Sequence, residues 1–300
     1  MYSFERYPEP KGHFETKDGA KLPWFEYGNP AAERTILFLN GFTCNQHNIA
    51  KVVAALAADY RIVTFDYRGQ GLAFRERHEV VSIDAVLDDI DALHAHIGKI
   101  PVLLFGYSMG CQLAVEWNYR DNSRVTGLVL LLGIYGNIFD SFLNMKIFAP
   151  MLNATYHAFP FLKPILKRTW RTAHRLPFAL RVALGKGTLL NPERVNEAEL
   201  RPFLDQLADL DFEYILHMSH AIHHHTNDGQ FDRIKAPCLI ISGEADLFAL
   251  PQHSERVHQA VASSWYFSIP AGTHNAILEH SDEIMVWVSE FLREKNLAAS

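Results

Sequence analysis

The chain has 300 residues, enough for one large α/β domain with an insertion or for two domains, and its hydrophobic share of 48% permits a sizeable core. A formal net charge of -6 argues against nucleic acid as a partner. The three cysteines, Cys44, Cys111 and Cys238, form neither a disulfide framework nor a C-x-x-C pair, and each sits in or beside an apolar segment as a small core residue would.

The opening stretch, MYSFERYPEPKGHFETKDG, has no apolar core of signal-peptide length, and no later run reaches the length of a membrane span, so a soluble, cytoplasmic protein is expected. Residues 11–28 read as an antiparallel hairpin around Asp18-Gly19. From residue 35 short apolar runs alternate with amphipathic stretches. Strands are predicted at Thr35 to Leu39, Arg61 to Phe65, Val102 to Phe105, Gly127 to Leu132, Cys238 to Ser242 and Trp265 to Ile269. These runs are almost continuous in Val, Ile, Leu and Phe, as parallel strands covered on both faces require.

The clearest helix runs from Ser82, a natural N-cap, to Ile97. Its Ile83, Val86, Leu87, Ile90, Leu93 and Ile97 fall on one stripe, with Asp84, Asp88, Asp89 and Asp91 outside it. The last helix, Asp282 to Leu292, repeats the pattern through Ile284, Trp287, Val288 and Phe291. A hairpin followed by βα units predicts an α/β fold with a mostly parallel sheet and helices on both sides. The alternation breaks between residues 135 and 232, a stretch punctuated by Pro150, Pro160, Pro164, Pro177 and Pro192, and then resumes. This predicts a core of residues 1–134 and 233–300 carrying a helical cap at 135–232.

At residues 103 to 112 the chain reads LLFGYSMGCQ, a buried strand running into a helix with no loop between. So sharp a reversal strains Ser108, and Gly106 and Gly110 remove side chains that would collide across the turn. This is the G-x-S-x-G pattern of a nucleophile elbow. A serine hydroxyl needs a base within reach, itself oriented by a carboxylate. Sixteen histidines make a base easy to find, so position must discriminate. The run CLIISGEADLF offers Glu244 and Asp246 after one late strand, and SIPAGTHNAILEH offers His274 after the next. Three residues beyond Gly243, Asp246 is the better placed of the two acids.

With LNGF at 39–42, DYRGQG at 66–71, GYSMG at 106–110, SGEAD at 242–246 and AGTH at 271–274, the chain resembles the α/β-hydrolase superfamily over essentially its full length. The resemblance implies an eight-stranded, mostly parallel sheet with an inserted cap, and it too places the acid at Asp246. It implies an oxyanion hole from the backbone N–H groups of Phe42 and Met109, where the loss of one donor costs about 3–4 kcal/mol of barrier. Many members have His-Gly where this chain has Asn40-Gly41, an exchange that bears on the shape of that loop and on specificity. Asp66, Arg68 and Gly69 read as turn and ion-pair residues that brace the elbow, because the segment lacks the lysine and glycine spacing of a phosphate loop. Serine at the nucleophile position disfavours the dehalogenases and epoxide hydrolases, which use aspartate.

Within the cap, HMSHAIHHH could set His217, His220 and His224 on one helix face. No acid or cysteine accompanies them in that segment, and serine hydrolysis needs no metal or other cofactor, so none is expected. Residues 155–190 contain Lys163, Lys167, Arg168, Arg171, Arg175, Arg181 and Lys186 and no acid, with Phe159, Phe161, Trp170 and Phe178 interleaved. The expectation is a solvated basic face over packed aromatic rings. The sharper alternatives are attraction of a negatively charged acyl substrate or contact with an anionic lipid surface.

The sequence thus predicts a serine hydrolase cleaving an ester, or a related acyl bond, of a hydrophobic small-molecule substrate, with Phe139, Phe142, Phe148, Phe159 and Phe161 available to line its pocket. A lactonase, thioesterase, monoacylglycerol-type lipase, C–C bond hydrolase or acyltransferase would carry the same residues. A ligand-binding protein without turnover is the second class, and it would not need all three positions filled. The sequence leaves the oligomeric state open.

Overall fold

A computed structural model describes residues 6–73, 81–141, 145–173, 191, 193–195, 206–207 and 210–298, apart from the side chains of 141 and 171–173. The eight strands are β1 (Gly12–Glu15), β2 (Lys21–Gly28), β3 (Thr35–Leu39), β4 (Arg61–Phe65), β5 (Val102–Tyr107), β6 (Val125–Leu131), β7 (Cys238–Gly243) and β8 (Ser264–Ile269). They form a single sheet in the order β1-β2-β4-β3-β5-β6-β7-β8. The β1–β2 hairpin is antiparallel, β2 also pairs antiparallel with β4, and all remaining pairs are parallel. The fold is that of an α/β hydrolase.

Alternate residues of each strand point to opposite faces, and they sort into two cores accordingly. Leu37, Leu39, Leu104, Leu128, Leu130 and Ile240 pack on one side against α2 (Ile83–His96) and α3 (Met109–Arg120). Ile36, Phe38, Leu103, Phe105, Val129, Leu131, Leu239 and Ile241 pack on the other, against α1 (Ala50–Leu56) and the C-terminal helix α9 (Ser281–Glu294). The central strands are therefore apolar on both faces. Truncating a ring such as Phe105, stacked on Phe38 at 4.9 Å, to alanine costs about 3–5 kcal/mol.

One aspartate departs from the sequence reading. Asp89 was expected on the polar side of α2, yet it is fully buried. Arg68 reaches in and hydrogen-bonds it through Nε at 2.6 Å, while also pairing with Asp18 at the hairpin turn. Burial opposes the charge on this guanidinium, but the bonds to Asp89 and Asp18 outweigh it and hold Arg68 above its ordinary value. Arg68 thus ties the hairpin to α2 rather than bracing the elbow. Among the described residues Asp66 is likewise not paired with a cation. It accepts hydrogen bonds from the Tyr7 hydroxyl, the Gln46 amide and the Leu72 N–H, and burial pushes it up to about 6 despite them.

Between β6 and β7 lie α4 (Ile138–Ser141), α5 (Phe148–Ala173) and α6 (Phe212–His224). Pro160 and Pro164 were expected to punctuate this stretch, but α5 runs through both. An internal proline costs a helix about 3 kcal/mol, and packing against α6 supplies the opposing stabilisation. Tyr156 stacks on His220 at 3.8 Å, Phe159 meets Phe212, and Trp170 Nε1 donates to the Leu210 carbonyl at 3.0 Å. Lys167 pairs with Asp211 and Glu213, and Lys163 with Glu213. The opposite side of α5 leaves Met151, Phe161, Leu162 and Ile165 exposed. Among the described residues no helix is long and apolar enough to cross a membrane.

Past β7 the chain forms α7 (Pro251–Ala260), then β8, the short α8 (Ala276–Glu279) and α9.

Candidate active site

The strand β5 ends at Tyr107 and α3 begins at Met109, leaving Ser108 alone to make the turn. Its backbone sits at φ 54°, ψ -119°, a left-handed conformation that a non-glycine residue adopts only under constraint. The constraint is close packing: a Cβ on Gly110 would lie 1.8 Å from the Leu39 carbonyl oxygen, and one on Gly106 would lie 2.6 Å from the Gly110 carbonyl oxygen. The Ser108 N–H donates to the Leu131 carbonyl at 3.0 Å, which pins the turn to β6.

The structure brings the serine, the histidine and one of the two acids together. Ser108 Oγ is 2.8 Å from His274 Nε2, and His274 Nδ1 is 2.8 Å from Asp246 Oδ2. The second carboxylate oxygen of Asp246 accepts the N–H groups of Phe248 and Ala249 at 2.8 and 2.9 Å, so the turn after β7 fixes its orientation. Glu244 points into solvent instead. Asp246 is buried at 1% exposure while Ser108 keeps 7%, so the acid is the more withdrawn from water. An imidazole held between a hydroxyl and a buried carboxylate can take the hydroxyl proton and carry the resulting charge.

Two aromatic residues that the sequence did not single out hold the imidazole. Tyr107 and Phe248 both lie nearly parallel to the His274 ring, at 5.9 and 5.1 Å. The Tyr107 hydroxyl also donates to the His274 carbonyl at 2.9 Å, and burial keeps that phenol well above its ordinary value, hence a neutral donor. The position of Tyr107 beside Ser108 was visible; its reach to residue 274 was not.

Residues 40–45 form the facing loop. The Asn40 side chain closes it from both ends, accepting from the Gly41 N–H at 3.0 Å and donating to the Asn45 carbonyl at 2.8 Å. The Tyr67 hydroxyl donates to the Asn40 carbonyl at 3.0 Å, and the Phe42 ring leans on Tyr214 of α6. Asparagine thereby supplies the side-chain bonding that the Asn40-Gly41 departure brought into question. Gly41 packs against Cys44 and Ser108, which brings the Phe42 turn alongside the elbow. Met109 is the first residue of α3, where a helix N–H has no partner within the helix.

A family model described as the alpha/beta hydrolase fold matches residues 34–281. The chain belongs to the α/β-hydrolase family. Its coarse activity class is accordingly that of a hydrolase. A phospholipase of Bacillus subtilis, YtpA, is 36% identical over 77 residues, covering 25% of this chain and 30% of that relative's length. An uncharacterized hydrolase of the same organism, YugF, is 22% identical over 281 residues, covering 93% of this chain and 96% of YugF. A thermophilic esterase from Thermogutta terrifontis superposes with a TM-score of 0.73 at 18% identity, covering 94% of this chain and 98% of the esterase.

In this α/β hydrolase the phenylalanines of the insertion do not act as one lining set. Phe161 is 85% exposed, Phe159 is buried between α5 and α6, and Phe139 packs on His223; Phe142 lies outside the described residues. Helical geometry explains the first two, since positions two apart face different sides. The histidines of α6 meet α5: His217 and His220 contact Tyr156, and His224 Nε2 is 3.0 Å from Asn153 Oδ1. Among the described residues no group of three or more His, Cys, Asp or Glu is arranged to hold a metal. Of the basic run, Lys163 and Lys167 are held in ion pairs, while Arg175, Arg181 and Lys186, and with them Phe178, lie outside the described residues.

Proposed function

We propose that this α/β hydrolase cleaves a carboxylic ester, or a closely related acyl bond, of a hydrophobic small molecule through an acyl-enzyme. The observation that carries the reading is the continuous chain of two 2.8 Å contacts from Ser108 through His274 to Asp246, built on a strained turn that presents the hydroxyl. Ser108 Oγ attacks the acyl carbonyl as His274 Nε2 takes its proton. Asp246 holds the imidazole by Nδ1 and stabilises the imidazolium.

The N–H groups of Phe42 and Met109 receive the negative charge that develops on the carbonyl oxygen. The tetrahedral species collapses with cleavage of the carbonyl–oxygen bond, and His274 returns the proton to the departing alcohol. Water then attacks the acyl-serine, again with His274 as base, and releases the carboxylic acid and free Ser108. The half-buried rings of Phe248, stacked on His274, and of Phe42, against Tyr214, favour an apolar acyl or alcohol group. Residues 135–232 are read as the cap over this site. We place the protein among soluble, cytoplasmic enzymes that need no cofactor.

The test compares wild type with Ser108→Ala on p-nitrophenyl esters from acetate to palmitate, with a fluorophosphonate probe alongside. The expected result is a chain-length optimum in wild type, no turnover in the variant, and labelling that maps to Ser108. Labelling without ester turnover would redirect the substrate to lactones, thioesters or C–C bonds. No labelling at all would sink the mechanism and favour a ligand-binding role.

A further inference from the structure

A carboxylate that the mechanism above does not use lies just behind the catalytic histidine. Glu279, at the end of α8, is buried at 7% exposure. It accepts the Thr273 hydroxyl at 2.8 Å and the Thr273 N–H at 3.2 Å, and Thr273 directly precedes His274. The same carboxylate accepts a third hydrogen bond, at 2.6 Å, from the N–H of Asn191, which belongs to the insertion between β6 and β7.

The facing loop is held in a similar way. The Gln206 amide, also from the insertion, donates to the carbonyls of Thr43 at 2.9 Å and Cys44 at 3.2 Å. Thr43 stands at φ 63°, so this turn is strained and needs holding. The next carbonyl, Asn45, is already held by Asn40 from within the loop. Gln206 therefore adds a restraint from the insertion to those of Tyr67 and Tyr214, one to two residues beyond the Phe42 N–H.

We propose that Gln206 and Glu279 are positioning residues through which the inserted segment sets the oxyanion loop and the His274 loop, so that the insertion is part of the machinery as well as a wall of the pocket. This rests on the assignment of Ser108, His274 and Asp246 made above. Neither residue touches the reacting atoms. Each holds a loop whose displacement by about 1 Å would cost on the order of 100-fold in rate.

Gln206→Met keeps length and bulk while removing both donated bonds. Among the described residues the Gln206 Oε1 is buried without a partner, and removing it offsets part of what the two freed carbonyls cost. Glu279→Gln keeps shape but turns a donor toward a loop that already offers donors. The experiment measures thermal midpoint, kcat and KM on the best p-nitrophenyl ester, and the rate constant for fluorophosphonate labelling, in the full chain. Both variants are expected to lose about 10-fold or more in kcat per folded molecule and in labelling rate, with KM within about twofold and a melting temperature for Gln206→Met lowered by a few degrees at most.

A merely structural role would lower the melting temperature and leave kcat per folded molecule intact. Should Glu279→Gln fail to fold, Gln206→Met decides by itself. Wild type labelled at Ser108 with variants equally fast overturns this proposal alone. Wild type unlabelled overturns the serine-hydrolase reading and this proposal with it.

Discussion

The sheet and the segment inserted between β6 and β7 are built on different principles. In the sheet, β3, β5 and β7 are buried at every residue and the turns leaving them carry Phe42, Ser108 and Asp246, while His274 follows the half-buried β8. In the insertion, α5 shows solvent an apolar stripe and packs on α6 through a tyrosine–histidine stack and ion pairs that are partly exposed. The first region is over-determined, whereas the contacts between α5 and α6 lie partly at the surface. The chemistry proposed above, which depends on fractions of an ångström, would sit on the more deeply packed part.

The contrast can be broken or sharpened by measurement. The largest effect is expected from Asp246→Asn, which keeps the shape but presents the wrong donor pattern to His274 Nδ1. We expect kcat to fall by about 1,000- to 10,000-fold with little change in melting temperature, and a loss under tenfold would remove Asp246 from the machinery. Next comes Gly110→Ala, whose new Cβ would meet the Leu39 carbonyl oxygen at 1.8 Å. A destabilisation of about 3 kcal/mol or more in urea denaturation is expected, since only backbone can give way.

Two pH effects of opposite sign follow. Asp66 is pushed by burial from 3.8 up to about 6, so the folded state holds its proton more tightly than the unfolded chain does. Stability then rises as pH falls from 7 through about 6 toward 4, on the order of 2–3 kcal/mol, relative to an Asp66→Asn variant titrated in parallel. A flat difference between the two curves would refute the burial argument.

His220 and His223 are lowered, chiefly by burial and, for His220, by the charges of His224, His157 and other neighbours. For these the unfolded chain binds protons first, so the α5–α6 contact loosens as pH drops below about 6.5. Hydrogen exchange of α6 amides, faster at pH 5.5 than at 7.5 after correction for intrinsic rates, would register this smallest effect. Acid should therefore tighten one region while it loosens the other.

Much of the sheet was legible because its strands are short, unbroken apolar runs whose burial leaves no competing reading. The candidate site residues could be picked out where a local motif fixes the backbone: two glycines around Ser108, Gly243 before Asp246, and Gly272 before His274. What escaped depends on partners far away in sequence. Asp89 is buried only because Arg68 reaches it from 21 residues away, and Gln206 meets Thr43 across 163. Pro160 and Pro164 read as breaks because propensity is local, whereas the contacts that carry α5 through them come from α6. Phe161 was misjudged because a list of aromatic residues does not say which side of the helix each occupies.

Leu39, the last residue of β3, pairs with Gly106 of β5, two residues short of the nucleophile. Neighbouring strands keep a spacing of about 4.8 Å, so the hydrogen-bond ladder works as a ruler that sets how far the two proposed oxyanion donors stand apart. A slip of β3 by one rung would carry its loop about 3.3 Å along the ruler and turn Leu37 and Leu39 into the opposite core. The same apolar residues that make such a slip intolerable for folding would also calibrate the proposed chemistry, so selection for a well-packed sheet maintains the candidate site's dimensions at no separate cost.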